Sequence, residues 1–140
     1  MTFKQLKIEA FIQAPVSRVW ECWTRPEHIT QWNYASEDWC CPSAQVDLRT
    51  GGEYLARMES RDGSMGFDFR CKYDEVVQEE RLVLLLEDGR RATTLFENTP
   101  AGTRVETVFD AEIQNPPELQ QQGWQAILNQ FKTYVEHGSH

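Results

Sequence analysis

The chain has 140 residues, with 14 Lys and Arg against 22 Asp and Glu and a net charge of −8, a length that fits one domain over 1–140 with a sizeable core. That acidic balance speaks against nucleic acid and against anionic membrane surfaces as partners, because both require a basic face. No apolar run approaches the roughly 20 residues of a membrane span, and Met1-Thr2-Phe3-Lys4 leads directly into strand-like alternation instead of a signal peptide, so a cytoplasmic location is expected.

From Leu6 to Ile12 every second residue is apolar, the pattern of a strand with one buried face. Pro15 then opens a short helix, and Val16, Val19, Trp20 and Trp23 fall on one helical face. Pro26 starts a second short helix whose apolar side carries Ile29 and Trp32. Asn33 to Ser43 reads as irregular, and a strand is expected from Ala44 to Leu48. Gly51-Gly52 marks a sharp junction before a strand from Glu53 to Ser60, where glycines supply positive φ or a bulge. No lysine or helix start follows them, so a phosphate loop is a poor reading.

Asp62-Gly63 and Asp88-Gly89 both read as two-residue hairpin turns. Between them, Met65 to Val77 alternates Phe67, Phe69, Cys71 and Tyr73 against Asp68, Arg70, Lys72 and Asp74. Arg81 to Leu86 is nearly all apolar and should be covered on both sides. A strand follows over Arg91 to Glu97, then a turn at Pro100-Ala101-Gly102 and a last strand with Val105, Thr107, Phe109 and Ala111 on one side. Asn115-Pro116-Pro117-Glu118 has the capping residue, early proline and acid of a helix start. From Pro116 to about Glu136 an apolar stripe holds Leu119, Gly123, Trp124, Ile127, Leu128, Phe131, Tyr134 and Val135. Such a helix is roughly 30 Å long. Because glycine inside a helix costs roughly 1 kcal/mol relative to alanine, a close approach by backbone or ligand is expected at Gly123. The end, Glu136 to His140, reads as a frayed tail with the look of an expression tag and is set aside.

A run of hairpin strands followed by one long helix describes an α+β sheet curled around that helix, an architecture that encloses a cavity. Cys22, Cys40, Cys41 and Cys71 form no C-x-x-C pair, which suits reduced buried thiols, and with three histidines a metal site is not expected.

Ordered words along the chain carry a resemblance: Ala14-Pro15 with Val19-Trp20, Trp23-Thr24, Pro26-Glu27 and Trp32, then Asp47-Leu48-Arg49 with Gly51-Gly52. Tyr73 with Glu75, Glu80-Arg81-Leu82-Val83, Gly102-Thr103 and Gly123-Trp124 with Leu128 complete it. From about Ile8 to Val135 the chain resembles the START-like (SRPBCC) helix-grip superfamily, which includes the birch-pollen allergen fold. Within it, the match is to bacterial proteins similar to the C-terminal domain of the activator of the ninety-kilodalton heat-shock protein's ATPase. The resemblance implies a seven-stranded curved antiparallel sheet wrapped around the C-terminal helix, with two short helices between the first two strands and a cavity inside. It implies no fixed chemistry; related branches bind lipids or cyclise polyketides.

The expected function is therefore binding of an apolar or amphipathic small molecule, with no cofactor. Trp32, Phe67, Phe69, Tyr73 and the face of Gly123 are expected as walls, with Trp124 beside them, while Trp20 and Trp23 are assigned to the hinge of the short helices. Arg49 either pairs with Asp47 and Glu53 on the surface or binds a ligand carboxylate; Tyr54 and Tyr73 offer hydroxyls. Glu75 shares the parity of Phe69 and Tyr73, and it becomes an acid–base candidate only if no bulge turns it outward. His28 is read as solvent-facing, and no catalytic nucleophile is assigned. A cyclase- or hydrolase-like enzyme in the same cavity is the second hypothesis. A chaperone-interaction domain ranks last, since a standalone domain lacks the other half of the activator. Pairing into a homodimer through a sheet edge or an aromatic surface stays open.

Overall fold

A computed structural model describes residues 3–137. Its element order is β1 (Gln5–Ile12), α1 (Val16–Thr24), α2 (Pro26–Trp32), β2 (Trp39–Val46), β3 (Glu53–Ser60), β4 (Gly66–Val77), β5 (Arg81–Leu86), β6 (Arg91–Thr99), β7 (Gly102–Asp110) and α3 (Pro117–His137). The seven strands form one antiparallel sheet in the order β1-β7-β6-β5-β4-β3-β2. Only the first link joins strands distant in sequence, because α1 and α2 interrupt the meander after β1. The helices pack on the concave face, where Ile8, Ile12, Phe96, Val105 and Phe109 are buried against Leu128, Phe131 and Val135 of α3.

Strand β2 starts earlier than its sequence suggests. Cys40 faces Glu59 and Ser43 faces Arg57, so Cys41 and Pro42 together oppose one residue of β3. This bulge interrupts the alternation and accommodates a proline at the edge of the sheet.

The two Asp-Gly turns are wider than two residues and share one construction. Gly63 N–H donates to the Ser60 carbonyl at 3.0 Å, and Gly89 N–H donates to the Leu86 carbonyl at 3.0 Å. Each glycine has a left-handed φ, +78° and +94°. In each case the aspartate carboxylate accepts the N–H two residues on, from Ser64 at 2.9 Å and Arg90 at 3.1 Å. A turn of this kind followed by a left-handed glycine is a longer hairpin form, and the aspartate side chain completes it.

Gly51 has φ +87°, and a Cβ on Gly52 would collide with the Asp47 carbonyl oxygen. The two glycines let the chain turn back on itself and reach β4. There Gly51 N–H donates to the Tyr73 carbonyl at 2.7 Å, and Tyr73 N–H donates to the Gly52 carbonyl at 2.9 Å.

Helix α3 is laced to edge strand β1 by its polar side chains. Gln121, Gln125 and Lys132 donate to the carbonyls of Lys7, Glu9 and Phe11 at 2.8, 3.1 and 2.6 Å, while Gln13 N–H donates to Glu136 at 2.8 Å. These contacts occupy backbone groups that an open strand edge would otherwise present to another chain. Glu136 and His137 belong to the helix, contrary to the frayed tail expected there; the remaining three residues of that segment, like Met1 and Thr2, lie outside the described residues. Leu119 also departs from the expected stripe and is 57% exposed; the buried residues of α3 begin only at Leu128.

Candidate functional site

Between α3, the short helices and the concave sheet lies a cavity of about 360 Å³. That is within the range of small-molecule sites, about 300–1,000 Å³. One end is an aromatic block: Trp23 stacks on Trp32 with ring centroids 5.2 Å apart, and both meet Phe131 edge-on at 4.8 Å. Along the sheet Tyr54 touches Phe69 and Tyr73 edge-on, both at 6.2 Å, and Phe69 meets Trp124 of α3 at 6.5 Å. Leu82, Leu84 and Ala92 complete the floor. Toward solvent the wall includes Phe67, which is 51% exposed.

Within this apolar shell the polar groups are few. Thr94 and Thr107 hydroxyls bond each other at 2.8 Å across β6 and β7. The hydroxyls of Tyr54 and Tyr73, both buried residues on the cavity wall, have no hydrogen-bond partner among the described residues. Burial pushes both phenols well above their ordinary range, so they remain neutral donors. Asn33, Arg90 and Glu112 are the other polar lining residues with side chains longer than threonine.

Of the residues expected from sequence, Trp32, Tyr54, Phe67, Phe69, Tyr73 and Trp124 line the cavity. Three do not. Arg49 is 74% exposed and donates from Nε to Asp47 at 2.8 Å, so the surface pair is the one formed. Glu75 is turned outward by a bulge at Asp74: Tyr73 pairs with Leu84 and Glu75 with the next residue back, Val83. Its Oε1 lies 2.7 Å from Arg81 Nε, shielded from solvent in an ion pair whose geometry is not that of a directed hydrogen bond. At Gly123 an added Cβ would meet nothing within 4 Å, and the residue is not part of the wall, so the expected close approach is absent.

Trp23 joins the short helices to the sheet, meeting Phe96 edge-on at 5.8 Å, and is also part of the wall, whereas Trp20 packs edge-on against Phe96 at 5.3 Å and does not line the cavity. His28 is largely buried instead of solvent-facing; its Nδ1 is 2.6 Å from the Tyr134 hydroxyl and its Nε2 3.5 Å from Glu21. Sequence reasoning passed over Arg90, although a signal existed. Ala92, Thr94 and Phe96 alternate inward on β6, and Arg90 continues that parity one step beyond the strand's start.

The chemistry of the thiols is also settled by burial. All four cysteines are free. Burial pushes Cys41 up to about 11 and Cys71 up to about 12, which leaves both as protonated, unreactive thiols near neutrality. No group of three or more His, Cys, Asp or Glu able to hold a metal ion occurs among the described residues, and no described helix is long and apolar enough to cross a membrane.

This geometry can be set beside known proteins. The family model for Activator of Hsp90 ATPase homolog 1-like protein matches residues 13–136. The chain belongs to this family. An AHSA1-like protein from Aeromonas hydrophila, solved by NMR, is 40% identical with a TM-score of 0.89, and the match covers 98% of this chain and 99% of that one. A solution structure from Cytophaga hutchinsonii is also 40% identical, with a TM-score of 0.79 and coverage of 99% and 97%. A crystal structure from Nitrosomonas europaea, 24% identical over 94% and 93%, has a TM-score of 0.80 and shares the fold. None of the curated proteins matches this AHSA1-like chain. Its curled seven-stranded sheet, paired short helices and long terminal helix are the helix-grip arrangement that the sequence resemblance implied.

Proposed function

We propose that this AHSA1-like protein binds an apolar or amphipathic small molecule in the cavity between α3 and the sheet. The observation that carries this reading is a space of about 360 Å³ walled by aromatic and aliphatic side chains and left unfilled by the core. The unpaired inward hydroxyls of Tyr54 and Tyr73 supply orientation without chemistry. An acid–base role for Glu75 in a cyclase- or hydrolase-like reaction required an inward carboxylate, and the bulge at Asp74 turns that carboxylate out to Arg81.

Nile red, a neutral dye that fluoresces in apolar surroundings, tests the reading directly. The folded protein should enhance and blue-shift its emission with saturable stoichiometry. Leu84→Trp, which adds bulk on the cavity floor, should weaken that uptake while the circular dichroism spectrum is retained. A folded wild-type protein that leaves the dye unchanged overturns the proposal.

A further inference from the structure

Among the described residues, Arg90 is the one basic side chain lining the cavity, and Glu112 the one acidic side chain. The turn that introduces Arg90 also orients it. Asp88 accepts the Arg90 N–H through Oδ1 at 3.1 Å and the side-chain Nε through Oδ2 at 2.7 Å. One edge of the guanidinium is thereby fixed, and its side chain is only 18% exposed. Neither terminal nitrogen has a hydrogen-bond partner among the described residues. Guanidinium carries five N–H donors in a planar fork, so the edge left open offers two parallel donors on a residue that lines the same cavity as Leu84 and Ala92. The two donors stay accessible and unpaired, and a carboxylate satisfies such a pair bidentately.

Glu112 is placed differently. It follows the end of β7, and its Oε1 accepts from Asn115 Nδ2 on the segment leading into α3. Among the described residues, no second side chain clamps it in the way Asp88 clamps Arg90. The asymmetry leaves the cavity one preset cationic fork at the β5–β6 turn, with Glu112 as the acidic group elsewhere in an otherwise largely aromatic and aliphatic wall.

We propose that Arg90, positioned by Asp88, is the anchor of the ligand's head, and that the ligand is an apolar molecule ending in a carboxylate. This rests on the cavity reading above and adds the charge of the ligand to it. Competition against bound Nile red by three molecules of equal chain length, decanoate, decanol and decylamine, separates the two claims. Dye binding displaced by all three tests the cavity alone. The anchor predicts that decanoate competes about tenfold or more better than decanol at neutral pH and that decylamine is the weakest, as expected for a charge-assisted bidentate contact.

Arg90→Gln should abolish the preference for decanoate over decanol, and Arg90→Lys should restore part of it, since the charge remains but the fork is lost. Asp88→Asn should weaken decanoate more than decanol, through loss of orientation of the Arg90 fork. Equal competition by decanoate and decanol in the wild-type protein overturns the anchor and leaves the cavity standing. Tighter binding of decylamine also overturns it and transfers the role to Glu112. The wild-type comparison holds even if a variant fails to fold.

Discussion

Trp124 lies flat on Phe109, with ring centroids 4.0 Å apart and planes within 5° of parallel. The pair joins α3 to β7 and sets how far the helix stands from the sheet. On the other side of Trp124 is Phe69, met edge-on, so the indole is both a fastener and a cavity wall. Replacing it with alanine should remove the stack and widen the cavity at once. We expect a stability loss of about 2–3 kcal/mol by urea unfolding, below the full cost of a buried tryptophan because Trp124 is only partly buried. The enlarged space should admit bulkier dyes than the wild type. Unchanged stability would mean that the stack on Phe109 adds nothing to the hold already supplied by Leu128, Phe131, Val135 and the polar lacing to β1.

Two glycines should respond oppositely to alanine. At Gly123 the added methyl enters open space in a helix, so Gly123→Ala should stabilise by about 0.5–1 kcal/mol. At Gly52 the same methyl meets the Asp47 carbonyl oxygen, and the backbone bonds to Tyr73 must shift. Gly52→Ala should therefore destabilise by at least about 2 kcal/mol. Thermal melts of the two variants side by side provide the check, and a destabilised Gly123→Ala would contradict the open geometry.

The bonded hydroxyls of Thr94 and Thr107 predict non-additive substitution. Thr94→Val alone leaves Thr107 facing an apolar surface without its partner and should cost about 1–2 kcal/mol. The double valine variant removes both polar groups and should cost less than the sum of the singles. A double-mutant cycle with additive energies would show that the hydroxyls do not depend on each other.

Alkaline pH should unfold the protein through its buried thiols. An ordinary cysteine ionises at 9.0, whereas folded Cys71 does so only at about 12 and Cys41 at about 11, in each case because burial opposes the thiolate. Between these values the unfolded chain has released protons that the folded chain retains, so stability is complete below pH 9 and declines as pH rises toward 12. Urea midpoints should fall across this window, and Cys71→Ala should make the fall shallower. A midpoint independent of pH up to 11 would refute the linkage.

The order of elements was legible because alternation and helical periodicity are local properties of the chain. Pro15 and Pro26 start the short helices where their missing N–H groups cost nothing, and the Phe67 to Tyr73 alternation assigns the inner face of β4 correctly. Parity fails at Glu75 because one inserted residue, Asp74, reverses every side chain after it. Nothing in the local pattern announces that insertion. The bulge at Cys41 and Pro42 obscured the start of β2 in the same way.

From the sequence alone came the curled sheet, the long helix and most of the aromatic wall, since apolar side chains must face the interior between sheet and helix. Which charged group enters that interior was decided by tertiary structure. Arg49, Glu75 and Arg90 are all charged residues at or beside strand ends, and composition does not distinguish them. The Asp47 pairing and the Asp74 bulge carry the first two outward, while the Asp88-Gly89 turn delivers the third to the concave face. Side-chain direction at a strand end depends on turn geometry and register across neighbouring strands, which are relations between distant residues and exist only once the sheet has formed.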